Sequence, residues 1–164
     1  MSSEGAMDVD EHSKELNDIQ NQFDEIIACS ESSQVEAEKL TDLLKLPQND
    51  DSSVKVKEQC IYRLAKYYTE NKQFSEVENI LKGNSEFFGA IPKSRTAKIV
   101  RNMLNIVSTV PNSLTIQIEL CQNIIVWCKQ EKRTFLRQRI EAKLAVLLLQ
   151  RKEPVAAMAL IDEL

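Results

Sequence analysis

Residues 64–81, LAKYYTENKQFSEVENIL, and residues 144–161, LAVLLLQRKEPVAAMALI, are two versions of one pattern, and this pattern decides the fold. Leu-Ala opens both stretches, and Lys72 of the first aligns with Lys152 of the second. Each stretch has an apolar stripe at helical spacing, a short polar segment and a second stripe, which is typical of two helices joined by a turn. The sequence therefore predicts a helix–turn–helix unit that recurs along the chain.

This unit repeats with a period of about 40 residues. A period of this length is typical of tetratricopeptide-like and HEAT-like α-solenoids, in which each unit buries its apolar face only by stacking on its neighbours. We predict an all-α solenoid of about eight helices over residues 13–164, preceded by a disordered acidic tail at residues 1–12. The apolar residues that recur at this spacing are Cys60, Val100 and Ile140; Leu64, Leu104 and Leu144; Tyr67, Val107 and Leu147; and Ile80, Leu120 and Leu160.

The composition agrees with a helical, soluble protein. The 164 residues include 3 Gly and 4 Pro, too few for the frequent turns of an all-β fold. No apolar run approaches the roughly 18 residues that span a bilayer, and the acidic start resembles neither a secretory signal nor a transit peptide. We expect cytoplasmic and nuclear localisation, with the four cysteines reduced and buried. These cysteines are Cys29, Cys60, Cys121 and Cys128.

Charge is distributed unevenly along the chain. Residues 1–51 carry 14 Asp and Glu against 3 Lys and Arg, a net charge of −11, whereas residues 52–164 carry 11 against 18, a net of +7. One interpretation is a solvated acidic tail beside an ordinary helical body. The other is an electrostatic role directed at a partner or at another part of the chain.

Three local predictions concern helix boundaries and the last helix. A helix is expected from about Ser52 to Glu70, and a loop is expected around Phe87 and Phe88, before Pro92 opens the next helix. The last helix starts near Pro154 and carries an apolar stripe, whereas a solenoid normally ends in a polar capping helix. We therefore expect that the chain is cut from a longer protein or that a partner covers this end.

The residues needed for catalysis are scarce. The one histidine is His12, in the predicted tail, and the glycines are isolated, so neither a histidine base nor a phosphate-cradling loop is expected. Cys121 and Cys128 lie seven residues apart on one helix face, where core packing is the expected role. We predict no catalytic, cofactor-binding or metal site, and no enzymatic activity.

The stretch EKRTFLRQR, residues 131–139, carries four Lys and Arg against one Glu. Phe135, Leu136 and Ile140 are expected to point inward and the cations outward, with an Arg137–Glu141 pair at i,i+4. The candidate partner surface consists of Lys132, Arg133, Arg137 and Arg139. The alternative is a solvated helix start. Nucleic-acid binding is not expected, because no aromatic stacking platform accompanies the cations.

Four stretches resemble one known family. EKRTFLRQ at 131–138, followed by IEAKL at 140–144, is similar to a segment of the proteasome regulatory-particle lid subunits called non-ATPase regulatory subunit eleven. VKVKEQ at 54–59, AKIVRNML at 97–104 and IELCQNIIVWCKQEKR at 118–133 agree in order and spacing. The resemblance covers roughly residues 23–164.

This resemblance implies a fold and a role. Members of the family have an N-terminal α-solenoid followed by a PCI module, and the solenoid clamps the lid to the core-particle α-ring and the ATPase ring. The implied function is a non-catalytic scaffold in ubiquitin-dependent degradation, with those rings and other lid subunits as partners. On this resemblance we expect the chain to be truncated before a PCI module. It has Glu153-Pro154 where similar members have a basic residue and an aromatic one.

A nucleic-acid binder that uses the net charge of +7 of residues 52–164 is one competing function, and a steep loss of binding between low and moderate salt would be its signature. Two further functions stay open on the sequence alone. A generic tetratricopeptide-like adaptor would bind peptide tails in a concave groove. A subunit of a related PCI assembly, the signalosome or the translation initiation factor three complex, would be a scaffold of the same kind. Neither alternative involves a membrane or a cofactor.

Overall fold

The computed structural model describes the backbone of residues 7–29 and 32–163, and the side chains from residue 18 onward within those ranges. This part of the chain forms nine helices and contains no strand. The helices are α1 (Met7–Ala28), α2 (Ser33–Leu44), α3 (Asp51–Glu70), α4 (Phe74–Gly83), α5 (Ser85–Ala90), α6 (Lys93–Ser108), α7 (Leu114–Gln130), α8 (Thr134–Gln150) and α9 (Pro154–Asp162).

Most of these helices form stacked pairs. Helices α3 and α4, α6 and α7, and α8 and α9 are each joined by a short turn and pack against each other. Between pairs, α3 packs against α6 and α4 packs against α7. Like helices of these two pairs therefore lie side by side, as in an α-solenoid, and the third pair packs on the second through α7 and α8. The predicted fold class is confirmed.

The backbone of the turns repeats with the same period as the sequence. Lys72, Asn112 and Lys152, each 40 residues apart, have φ angles of 57°, 58° and 65°. Glycine is the usual residue in this left-handed region, because a Cβ atom raises its energy. The described turns thus use lysine or asparagine where glycine is common, which explains how the chain makes its hairpins with so few glycines.

The hydrogen bonds of these turns identify a Schellman motif. After α3, the N–H of Gln73 donates to the Tyr68 carbonyl at 2.7 Å and the N–H of Lys72 donates to the Thr69 carbonyl at 3.1 Å. This pair of bonds satisfies carbonyls that the end of the helix leaves unpaired. The same two bonds close α7, around Lys132, and α8, around Lys152.

The recurring apolar positions form a continuous core. Most of them are buried, and Tyr67 and Leu160 are half-buried at its edge. The start of α3 is secured by Asp50, whose carboxylate accepts the N–H groups of Ser52 and Ser53 at 3.0 and 3.1 Å. The predicted start of this helix near Ser52 is correct to one residue.

The short helix α5 corrects one prediction. The loop expected around Phe87 and Phe88 is a helix of six residues, and both rings are buried. An isolated helix of this length is unstable in water. Tertiary packing of the two rings holds it, so local sequence could not predict its conformation.

The N-terminal boundary also differs from the prediction. Helix α1 begins at Met7, six residues before the expected start at Ser13. The sequence between them is rich in acidic residues, which the positive end of the helix dipole favours in the first turns. The predicted disorder of residues 1–6 lies outside the described residues.

The cysteines are not all buried. Cys60, Cys121 and Cys128 lie in the core, as expected, but Cys29 follows the end of α1 and is exposed. Of the four cysteines, only Cys60 belongs to a recurring set of apolar residues, so the period does not separate the exposed Cys29 from the buried Cys121 and Cys128.

Candidate partner surface

The four predicted surface cations lie in the turn between α7 and α8 and in the first turns of α8. Lys132, with a φ of 54°, and Arg139 are exposed to solvent. Arg133 and Arg137 are half-buried. The structure therefore brings the four residues into one region but divides them into two that face outward and two that make internal contacts.

Arg133 is held by two internal contacts. Its Nη2 donates to the carbonyl oxygen of Phe88 at 2.8 Å, and its guanidinium carbon lies 5.1 Å from the centroid of the Trp127 ring. The first contact satisfies a carbonyl of α5, and the second is a cation–π interaction. The expected outward orientation of Arg133 is wrong, because this side chain links the α7–α8 turn to α5.

An aromatic cluster lies beneath that link. The rings of Phe88 and Trp127 meet edge to face with centroids 5.8 Å apart, and the Phe87 and Phe88 rings do so at 5.2 Å. Edge-to-face pairs of this kind add about 0.5–1.5 kcal/mol to the burial of the rings. The cluster holds the Trp127 ring against which the guanidinium of Arg133 packs.

Arg137 pairs with its own helix. Its Nε lies 3.8 Å from Oε1 of Glu141, so the predicted i,i+4 pair is confirmed. Glu141 is buried, and the pair shields its carboxylate. The charge of Arg137 is therefore partly neutralised by Glu141 and is less available to a partner.

A buried thiol lies next to these charges. Burial raises the pKa of Cys128 to about 11, although the nearby Arg133 and Arg137 charges act in the opposite direction. At neutral pH the sulfur is a thiol rather than a thiolate, and a thiol is a poor nucleophile and a poor metal ligand. This supports the packing role that was predicted for Cys128.

Phe135 is on the surface, where the sequence prediction had placed it inward. Its side chain is 79% exposed. The buried stripe of α8 includes Leu136 and Ile140, and position 135 lies about 100° away from that stripe on the helix. The side chain instead shares a face with Arg139, one turn further along.

These residues surround a pocket between two helix starts. It has a volume of about 180 Å³ and lies between the first turns of α6 and α8; we call it the α6–α8 pocket. Helices α3 and α6 are packed closely, but α6 and α8 are not among the closely packed pairs of the described chain, and this leaves the gap. The lining residues are Lys93, Ser94, Ala97, Arg133, Thr134, Phe135, Leu136 and Arg139.

The sequence prediction omitted Lys93, although the period contains it. Lys93 and Ser94 precede Arg133 and Thr134 by 40 residues, so the two helices present a cation and a hydroxyl at equivalent positions. Extending the recurring sets from apolar to polar residues would have found this pair. What the period could not show is that both positions line one pocket.

The electrostatics of the pocket favour an anion. Three of its eight lining residues are cations and none is acidic. Neither α6 nor α8 has an acidic residue in its first turn or a side-chain cap, so unpaired N–H groups add partial positive charge. The arrangement can attract a carboxylate or a phosphate, but within the described residues there is no cluster of His, Cys, Asp or Glu suited to a metal ion.

A second surface carries apolar side chains. Val155, Met158 and Ile161 of α9 are exposed, and Val146 and Leu149 of α8 are exposed as well. These residues include most of the apolar stripe that was predicted for the last helix. Among the described helices, none is long and apolar enough to cross a bilayer.

Comparison with known proteins extends these observations. Residues 19–151 match the family model of the 26S proteasome regulatory subunit RPN6 N-terminal domain. The matched range begins in α1 and ends just after α8, so it contains the α6–α8 pocket and the four predicted cations.

Individual relatives agree with this match. The 26S proteasome non-ATPase regulatory subunit 11 homolog of Arabidopsis thaliana is 42% identical over 76% of this chain and 30% of its own length. The Dictyostelium discoideum subunit 11 is 36% identical over 84% of this chain and 32% of its own. The Saccharomyces cerevisiae regulatory subunit RPN6 is 30% identical over 70% and 26%.

The chain thus aligns with about a third of the length of these relatives. The shared part includes the helix pairs from α3 to α8, which are the elements that build the solenoid. From its sequence, and with a helical architecture that agrees, this chain belongs to the family of the 26S proteasome regulatory subunit RPN6 N-terminal domain.

Proposed function

We propose that the chain is a non-catalytic scaffold of the 26S proteasome regulatory-particle lid. In this role its solenoid helps to clamp the lid to an α-ring subunit of the core particle and to an ATPase-ring subunit, and it supports ubiquitin-dependent degradation in the cytoplasm and nucleus. The observation that carries the proposal is the family match over residues 19–151. The named relatives are regulatory subunits of the 26S proteasome.

The form of the protein supports a scaffold role. A solenoid offers a long surface whose parts lie at fixed distances, which suits the simultaneous contact of two rings. The most deeply buried charged side chain of the described core, Lys57, serves the fold: it is 1% exposed and donates to the carbonyl of Leu46 and to the side chain of Asn49. No reaction needs to be assigned to it.

The two alternatives from the sequence are weaker in comparison. A generic tetratricopeptide-like adaptor, or a subunit of the signalosome or of translation initiation factor three, would share the helical repeats. The family match and the regulatory-subunit names of the relatives favour the proteasome. Contacts with other lid subunits are part of the proposal as well.

Native-gel co-migration tests the proposal. The tagged 164-residue chain and a tagged full-length relative are expressed separately in cells, and each is probed for its presence in the 26S band. We expect the short chain in that band, at a level that rises when the endogenous subunit is depleted, because both would occupy one position. The full-length relative is the positive control for assembly.

Absence of the short chain from the 26S band would count against the proposal. If the full-length relative enters the 26S band while the short chain migrates only as a free protein, the described solenoid has the fold of the subunit but does not dock. That outcome would contradict the scaffold proposal for this chain.

A further inference from the structure

We propose that the α6–α8 pocket is the docking site for an acidic segment of a partner protein that carries one bulky apolar side chain. This inference rests on the proposed scaffold function and gives one of its contacts a defined chemistry. The observations that support it are the pocket's size, its charge, its exposed aromatic side chain and the way its wall is held.

The size of the pocket limits its occupant. Small-molecule and cofactor sites usually have volumes of about 300–1,000 Å³, and the α6–α8 pocket has about 180 Å³. It is large enough for a single side chain. Ala97 and Leu136 give it an apolar part, so an apolar side chain can be buried there while flanking residues remain at the rim.

The positive charge at the rim of the pocket favours acidic residues on either side of the partner's apolar side chain. Lys93 and Arg139 are exposed, and neither forms an ion pair with a carboxylate in the part of the chain that the structure describes. Some exposed cations elsewhere, such as Lys82 and Lys98, have carboxylate partners. Unpaired cations at the rim attract acidic residues and increase the rate of association.

Phe135 supplies the apolar contact. A phenylalanine that is 79% exposed at the edge of a pocket leaves most of its apolar surface in water. Covering it would contribute about 25 cal/mol for each Å² removed from water. Aromatic residues of this kind, beside a pocket and an arginine, are typical of the centres of protein interfaces.

Arg133 gives the pocket a preformed wall. Its bond to the Phe88 carbonyl and its contact with Trp127 hold the guanidinium before any partner arrives. A partner therefore does not need to order this long side chain, and the entropic cost of binding is lower. We assign Arg133 a positioning role, whereas Lys93, Phe135 and Arg139 make the contacts.

A nucleic acid would also be attracted by the cations, but the surface suits it less well. Single-stranded nucleic acids bind on several aromatic side chains along a basic groove. The α6–α8 pocket has one aromatic residue and a small volume. An acidic peptide with one bulky apolar side chain can place that side chain in the small volume and against the single aromatic residue.

Peptide titration of the full 164-residue chain tests the inference. The probe is a fluorescein-labelled peptide of glutamates and aspartates with one central phenylalanine, measured by fluorescence anisotropy at low salt. A second probe has glutamine in place of the phenylalanine, and a third is a uridine oligonucleotide. We expect saturable binding of the first probe and at least about tenfold weaker binding of the second, a difference of roughly 1.4 kcal/mol.

Matched variants locate the binding. Lys93→Glu with Arg139→Glu, and separately Phe135→Ser, should each weaken binding of the first probe by at least about tenfold. The controls are Lys55→Glu with Arg101→Glu and Val155→Ser, which change exposed residues that do not line the pocket. All of these positions are on the surface, and circular dichroism verifies that each variant is folded.

Two results would overturn the inference. One is equal affinity of the acidic peptide for the wild-type chain and for Lys93→Glu with Arg139→Glu. The other is pocket-dependent binding of the oligonucleotide without binding of the peptide, which would identify a nucleic-acid site.

The same variants separate this inference from the scaffold proposal. If the wild-type chain enters the 26S band and Lys93→Glu with Arg139→Glu does not, the pocket is a docking contact. If both enter equally, the scaffold function stands and the pocket is not its contact. If neither enters, the scaffold proposal fails, and the peptide titration alone decides whether the pocket binds acidic segments.

Discussion

The side-chain amide of Asn102 donates a hydrogen bond to the hydroxyl oxygen of Tyr62 at 3.0 Å, and the two residues are 40 positions apart. This contact joins α6 to α3 across one repeat. The Tyr62 hydroxyl in turn donates to Oε1 of Glu58 at 2.8 Å. A chain of hydrogen bonds therefore accompanies the apolar contacts where two helix pairs stack.

Glu58 is the acceptor at the end of this chain. It is 6% exposed, and the Lys98 ammonium lies 2.8 Å from its Oε1. Burial alone would raise the pKa of Glu58, but hydrogen bonds from Lys98 and Tyr62 and the charges of Lys98 and Arg95 outweigh it, so its pKa is lowered. The carboxylate is ionised at neutral pH and connects the two repeats.

Replacing this carboxylate should destabilise the protein. We expect Glu58→Gln to lower the free energy of unfolding at pH 7 by about 1–3 kcal/mol, because hydrogen bonds to a charged group are lost. Urea unfolding followed by circular dichroism measures the change. Glu70→Gln is the control, since Glu70 forms an exposed pair with Lys66 at 3.9 Å and should cost less than about 1 kcal/mol.

The effect should depend on pH in one direction. A carboxyl group whose pKa is lower in the folded protein adds stability above its unfolded pKa, and this contribution is lost as pH falls through the folded pKa. The difference between wild type and Glu58→Gln should therefore be constant at neutral pH and shrink in acid, below the usual value of 4.5. A difference that stayed constant down to acid unfolding would contradict the assigned charge.

Arg133 and Arg139 should differ sharply as alanine variants. Arg133→Ala removes the bond to Phe88 and the contact with Trp127, and it should cost about 2–3 kcal/mol. Arg139→Ala removes an exposed side chain and should change stability by less than about 0.5 kcal/mol.

Tryptophan fluorescence adds a direct readout, because Trp127 is the one tryptophan of the chain. Its emission should change in folded Arg133→Ala and stay as in wild type in Arg139→Ala. Equal stabilities for the two variants would show that Arg133 does not hold α5 in place.

The left-handed turn residues offer a stabilising change. Lys72 has a φ of 57°, which costs a residue with a Cβ atom about 1–2 kcal/mol relative to glycine. After allowing for the greater freedom of glycine in the unfolded chain, we expect Lys72→Gly to raise stability by about 0.5–1 kcal/mol. Thermal unfolding measures the shift.

Lys66→Gly is the matched control for this prediction. Lys66 lies inside α3, where glycine should cost about 1 kcal/mol. Each change replaces an exposed lysine by glycine, and the two changes should move the midpoint of unfolding in opposite directions. Destabilisation by both would contradict the left-handed conformation at residue 72.

The cysteines should react in two classes. Cys29 is exposed, whereas burial raises the pKa of Cys60 to about 12 and that of Cys121 to about 11. Because the thiolate is the reactive form, a maleimide should modify Cys29 rapidly in the native protein and the buried thiols only on unfolding. Mass spectrometry should show one fast modification, which Cys29→Ser abolishes.

The repeat could be predicted because its signal is spread over the whole chain. Four sets of apolar residues at one spacing, together with Lys72 aligned to Lys152, indicate stacked helix pairs whatever the details of a single turn. The helix expected from about Ser52 to Glu70 and the Arg137–Glu141 pair could be predicted as well, because both depend on spacing within one helix.

The candidate surface could be predicted only in part. The sequence located the cations of residues 131–139, and Lys132 and Arg139 do face solvent. It placed Arg133 outward and Phe135 inward, and both orientations are the reverse of the structure. Residue type predicts average burial, whereas Phe135 is exposed because it lies off the buried stripe of α8, and the position of Arg133 depends on α5 lying opposite.

The sequence by itself determined the helical class, the period and the family, because these depend on residue spacing and on local similarity. Tertiary structure alone decided that α5 is helical, that Arg133 donates to the carbonyl of Phe88, and that Lys93 and Arg139 line one pocket between α6 and α8. Each of these depends on contacts between residues far apart in the chain, where the gain from packing exceeds what local propensity specifies.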